Sequence, residues 1–184
     1  EKYAVAKAIA SVLPGPTTGG PSQGWFEKPD GTRITWSVGH ILELCMPEDY
    51  DPALQRWRID DYPVFPEEWK LKPIENTKAQ FKTIQKLLRD TTVVVHAGDP
   101  DREGQLLIDE ILEFCGYAGK VLRILPNDNE RTAIAAAVKA EHDNTKFKGL
   151  YEAGKARQRA DFLVGINGTR VATQGLGDGR LISV

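Results

Sequence analysis

Residues 93–112, "VVVHAGDPDREGQLLIDEIL", set Asp99, Asp101 and Glu103 at alternate positions between an apolar strand-like run and an apolar helix-like run. Like charges this close repel, and either bulk water or a cation must offset the cost. A spacing of two where a strand turns into a helix lets the three carboxylates converge, and hard oxygen donors of that kind suit Mg²⁺. Helix capping accounts for the same residues differently. Asp99 or Asp101 would close a helix starting near Arg102 or Glu103, and the remaining acids would favour its positive dipole end. Capping explains one acid better than three. Gly98 and Gly104 allow a tight turn and a close backbone approach, and His40 and His96 are expected to be satisfied within the core.

The elements that must position this cluster follow from periodicity. Residues 2–13 carry Val5, Ile9, Val12 and Leu13 at helical spacing and are stopped by Pro14 and Gly15. "GPTTGGPSQG" reads as a loop, and "WFEKPDGTRITWSV" as a hairpin about Asp30-Gly31 with Ile34, Trp36 and Val38 on one face. Residues 47–73 form an irregular, proline-punctuated stretch anchored by Trp57 and Trp69. A helix follows over residues 76–89. The strand "TTVVVHA" is apolar on both faces, as expected in the middle of a parallel sheet. A helix burying Leu107, Ile111 and Phe114, the strand "VLRIL" and an Ala-rich helix complete the pattern.

This alternation predicts an α/β layered domain ending near residue 143. Residues 146–170 hold six basic side chains against two acidic ones, which suits either a solvated helix face or a surface for a polyanion.

Composition sets the outer bounds. The 184 residues are 41% hydrophobic and 27% charged, in the range of ordinary globular chains. A formal charge of -2 advertises no nucleic-acid partner in bulk, so any such partner must be read locally. Cys45 and Cys115 sit in no metal-ligand spacing and suggest reduced thiols. No apolar run approaches the roughly 18 residues of a membrane span. A soluble, intracellular protein is expected, and the missing initiator Met suggests an excerpt of a longer one.

Asp99-Pro100-Asp101-Arg102-Glu103-Gly104 resembles the D-x-D-x-E signature of the Toprim domain. Together with "EKYAVAKAIA", "WSVGHILEL", "RWRIDDYPVFPEEWKLKP" and "ARQRADFLVGINGTR" leading into "LISV", it is similar to type IA DNA topoisomerases of the bacterial topoisomerase III branch. The resemblance implies an α/β Toprim (Rossmann-like) layered fold over residues 1–145, with a mostly parallel sheet flanked by helices, followed by the start of a helical DNA-binding domain over residues 146–184. It also implies a Mg²⁺-dependent enzyme that cuts one DNA strand, holds the 5′ phosphate on a tyrosine, passes another strand and reseals, so relaxing or decatenating DNA. Asp99, Asp101 and Glu103 would hold the cation, Glu1 would exchange a proton with the leaving 3′ oxygen, and Lys2 would contact the scissile phosphate. Arg157, Arg159, Asp161 and Arg170 would meet DNA. Implied partners are single-stranded DNA and DNA junctions, a RecQ-type helicase and a single-strand-binding protein, in a cytoplasmic, nucleoid-associated setting.

Departures are also visible. Tyr3 stands where the family has proline. None of Tyr3, Tyr50, Tyr62, Tyr117 and Tyr151 lies in a stretch resembling the family's nucleophile motif, so cleavage by this chain alone is not expected. The family's first strand would precede Glu1, and without it the sheet is expected to show an unpaired edge. Another Toprim enzyme, such as a primase or nuclease, or a non-catalytic nucleic-acid-binding module remains the alternative.

Overall fold

The computed structural model describes residues 2–176 together with 181 and 183, and its first element is helix α1, Tyr3–Val12, which buries Val5, Ala6, Ile9 and Ala10. Tyr3 packs its ring at 5.8 Å from Phe26 and 5.0 Å edge-on to Trp36. The ring that replaces proline therefore contributes apolar contact. Lys28, 3% exposed, donates its Nζ to the carbonyls of Ala10 at 3.1 Å and Gly15 at 2.6 Å. It thereby satisfies carbonyls left open at the helix end.

The hairpin forms as β2, Trp25–Glu27, and β3, Arg33–Thr35, antiparallel with Phe26 opposite Ile34. A further strand, β1, Thr18–Gly20, pairs with β2 inside the stretch read as loop. Gly19 has φ +82, and a Cβ there would lie 2.5 Å from the Trp25 carbonyl, so only glycine lets this segment lie against β2. Val38 is 64% exposed because β3 ends at Thr35, before the expected alternation reaches it. Along the chain, β4, Leu42–Leu44, α2, Pro47–Tyr50, and β5, Leu71–Pro73, come before helix α3, Lys78–Arg89, which buries Phe81 and Ile84. The Gln80 amide donates to Gly24 O, Thr35 Oγ1 and Trp36 O, which ties the hairpin to that helix.

Strands β6, Val93–His96, and β7, Lys120–Arg123, are parallel, with His96 opposite Arg123. Strand β8, His142–Asp143, pairs antiparallel with β7. Among the described residues this sheet has a longer parallel pairing, β6 with β7, and a shorter antiparallel one, β7 with β8. β6 stands at its edge, not in the middle, and Val93 and Val95 are nearly half exposed. They border an apolar groove of about 640 Å³ shared with Val5, Ile9, Ile84 and Ile124. Helix α4, Arg102–Phe114, buries Leu106, Leu107, Ile111 and Leu112. Phe114, 40% exposed, is less covered than its spacing implied. Helix α5, Arg131–Lys139, seats Ile134 at 0% exposure in the core.

The chain divides into two compact units, Glu1–Leu42 with Pro73–Gly154, and Glu43–Lys72 with Lys155–Val184. The proline-punctuated stretch therefore belongs to the second unit rather than to the domain expected over 1–145. The division falls inside the 29-residue helix α6, Lys148–Leu176, where unbroken helical periodicity leaves no local signal. Within the second unit Asn167 exchanges hydrogen bonds with the Val64 backbone at 2.8 and 3.1 Å. Trp69 meets Phe162 edge-on at 5.5 Å.

Candidate functional site

β6 ends at His96 and hands the chain through Ala97 and Gly98 to Asp99, and α4 begins directly after Asp101. A Cβ on Gly98 would lie 2.4 Å from Gly104 O, and one on Gly104 would lie 2.5 Å from both Asp99 N and Asp99 O. The two glycines thus let loop and helix start touch backbone to backbone. Their closeness serves this internal contact.

Each acid has its own partner. Asp101 is the N-cap of α4, its Oδ1 accepting from Gly104 N at 2.7 Å, so one member of the triplet does cap. Asp99 Oδ2 accepts from Lys2 Nζ at 2.7 Å, with the side chains 32% and 58% exposed. Glu103 Oε1 lies 3.8 Å from His40 Nε2, both half exposed. Among the described residues no group of three or more His, Cys, Asp and Glu side chains is arranged to hold a metal ion. The three carboxylates thus face three different groups, a helix start, an ammonium and an imidazole. Glu1 lies outside the described residues. His40, expected in the core, is exposed because the chain has already left β3 for a surface loop turning at Gly39, φ +72.

Beneath the loop is a layer of buried polar side chains. His96, Gln105 and Arg123 are 1%, 0% and 0% exposed, so His96 is the core histidine expected. Gly98 N–H donates to His96 Nδ1 at 3.1 Å, which leaves the proton on Nε2, facing Gln105 O at 3.4 Å. Burial, and then the Arg123 charge, push the His96 pKa down to about 3, so the ring is neutral. Burial pushes the neighbouring Asp109 carboxyl up. The sequence pattern hides Arg123. Its only signal was one cation inside the otherwise apolar "VLRIL".

In the second unit, Arg157 is exposed and pairs with Asp161 at 3.3 Å, an i,i+4 contact on α6. Arg159 lies over the Trp69 ring at 5.3 Å. Arg170 is 2% exposed. Its guanidinium donates to Glu48 at 2.6 Å and to the Tyr62 hydroxyl at 2.9 Å, and lies over Trp57 at 4.8 Å. The expected DNA contact is thus an internal anchor, because residues 43–72 cover it. Cys45 and Cys115 are free thiols, pushed up by burial.

A model of the Toprim domain family matches residues 1–136. The chain is 42% identical over 177 residues to a DNA topoisomerase 3 of Haemophilus influenzae, covering 94% of this chain and 27% of that protein. It is 40% identical to one of Salmonella typhimurium, again over 94% of this chain and 27% of the relative. The chain therefore spans about a quarter of the length of these curated relatives. In fold it is similar to the full-length topoisomerase I of Thermotoga maritima, with a TM-score of 0.63 and 22% identity over all of this chain and 26% of that one. Among the described residues no helix is long and apolar enough to cross a membrane.

Proposed function

Because the chain belongs to the Toprim domain family, we propose that it is the Toprim part of a type IA DNA topoisomerase of the topoisomerase III kind, acting on single DNA strands to relax or decatenate DNA. The observation that carries this reading is the placement of D-P-D-R-E-G. It lies at the carboxyl end of β6 and the start of α4, with the Lys2 ammonium 2.7 Å from Asp99. Ligands of open α/β sheets bind at that end of the strands.

The donor chemistry fits a hard divalent cation, since Asp99, Asp101 and Glu103 offer only carboxylate oxygens within five residues. These three would hold Mg²⁺. The cation, when bound, supplies positive charge against DNA phosphate. Lys2, more than half exposed, meets an incoming phosphate as a point cation and would then exchange Asp99 for it. Asp101 keeps one oxygen on the helix N-terminus, which holds its carboxylate in one orientation. Glu1 is assigned the proton exchange with the leaving 3′ oxygen. Arg157 and Arg159 on α6 would contact strand phosphates, giving affinity with little sequence preference. Asp161 would steady Arg157 in that place through their 3.3 Å contact. This reading implies a nucleophilic tyrosine in the family's motif, helicase and single-strand-binding partners, and a nucleoid setting.

In a full-length enzyme carrying this chain, replacing Asp99 and Asp101 together with alanine should abolish relaxation of supercoiled DNA while leaving most DNA binding. Equal loss of both would remove the metal role in chemistry. On the chain itself, Mg²⁺ should raise the melting temperature, as any ligand bound only to the native state must. No shift at millimolar Mg²⁺ would favour a non-catalytic module.

A further inference from the structure

We propose that Arg123 is a positioning residue for the acidic cluster, its buried guanidinium setting the path of the loop that carries Asp99 relative to the helix that carries Glu103. This deepens, and rests on, the cation-binding reading above. Arg123 ends β7 directly opposite His96, the last residue of β6. Its Nη1 donates to His96 O at 3.3 Å and Gly98 O at 2.7 Å, and its Nη2 to Asp99 O at 2.7 Å. Three carbonyls along the exit from the strand are thereby held by one planar group. The Nε–H donates to Gln105 Oε1 at 2.9 Å, and Gln105 lies on α4 two residues beyond Glu103. The Gln105 amide nitrogen donates in turn to Asp109 Oδ2 at 2.7 Å and Asn144 Oδ1 at 2.8 Å. Those two bonds fix which end of the amide faces Arg123.

One side chain thus joins the loop to the helix, and with them two of the three carboxylates. The backbone contact of Gly98 and Gly104 closes the same junction from the other side. A guanidinium is suited to this because its donors form a rigid fork, whereas a lysine keeps the charge but presents a single nitrogen. Carboxylates that share an ion must hold their geometry closely, and losing a residue that orients ligands typically costs about 10–100-fold in metal affinity.

The test compares the parent chain with Arg123→Lys, and with Ile134→Val as a control that weakens the core on α5 away from the loop. Mg²⁺ affinity is read by calorimetry and backbone order by amide hydrogen exchange. Arg123→Lys should bind Mg²⁺ at least tenfold more weakly and speed exchange selectively over residues 98–104, while Ile134→Val changes neither. If Arg123→Lys does not fold, Gln105→Met, which withdraws the acceptor that aims the guanidinium, should shift both readouts in the same direction. Parent-like Mg²⁺ affinity together with parent-like exchange over 98–104 overturns the proposal. A parent chain that binds no Mg²⁺ overturns the cation reading instead. Selective exchange at 98–104 would then still support Arg123 as the clamp, and uniform exchange would overturn it.

Discussion

Arg170→Ala separates two roles for one residue. Its place in a basic helical stretch suggests a phosphate contact, but in the structure it is 2% exposed, 2.6 Å from Glu48, 2.9 Å from the Tyr62 hydroxyl and stacked over Trp57. Breaking a buried pair by removing one partner costs about 3–5 kcal/mol, chiefly because the remaining charge is stranded. Glu48 is 34% exposed at its side chain and can rehydrate, so the lower end applies, about 3 kcal/mol. That is a large share of the roughly 5–15 kcal/mol that holds a typical domain folded. For a chain of this size it corresponds to a fall in melting temperature of about 6–12 °C. Arg170→Lys can restore the charge next to Glu48 but not the forked contact with Tyr62, and should lose about half as much. Urea denaturation followed by tryptophan fluorescence measures the loss. Oligonucleotide binding at several salt concentrations, under conditions where the variant is folded, measures any DNA role. A stability loss below about 1 kcal/mol with a shallower salt dependence would refute the anchor and return Arg170 to the DNA surface.

Arg157→Ala and Arg159→Ala should each weaken single-strand binding across sequences and reduce the salt slope by about one phosphate contact, and an unchanged slope would make α6 a solvated face there. Gly104→Ala would press a methyl group into the Asp99 backbone, costing about 1–3 kcal/mol by overpacking. A parent-like melting temperature would show that the loop has room to move. The pH dependence follows from His96, neutral in the folded state down to about pH 3 and titrating near 6.5 when unfolded. Between those values the unfolded chain binds the extra proton, so stability falls as pH is lowered, by at most about 1.4 kcal/mol per unit. Asp109, pushed up by burial, acts in the opposite sense and is common to both proteins compared. His96→Gln should flatten the slope between pH 6.5 and 5 in denaturation series, and an identical slope would mean the ring titrates normally.

Helices α1, α3, α4 and α5 and strand β6 were legible because an element's side-chain period is written locally, as in Val5 and Ile9 or Phe81 and Ile84. The acidic triplet was legible for the same reason, as residue types at fixed spacing beside glycines. β1 was not, since "TGG" shows no side-chain pattern and exists only through backbone pairing with β2. The Glu43–Lys72 segment gave no sign that it would join the later half of α6, and with that pairing the role of Arg170 changed, its Glu48 partner lying 122 residues away. Arg123 reads as one odd cation until the loop 24 to 27 residues earlier folds back over it. By itself, then, the sequence determined the helices α1, α3, α4 and α5, strand β6, the acidic triplet and the family likeness. The tertiary structure alone decided which charges were enclosed and by whom. Periodicity and residue chemistry act over a few residues, whereas the fate of a charge depends on which distant groups fold against it.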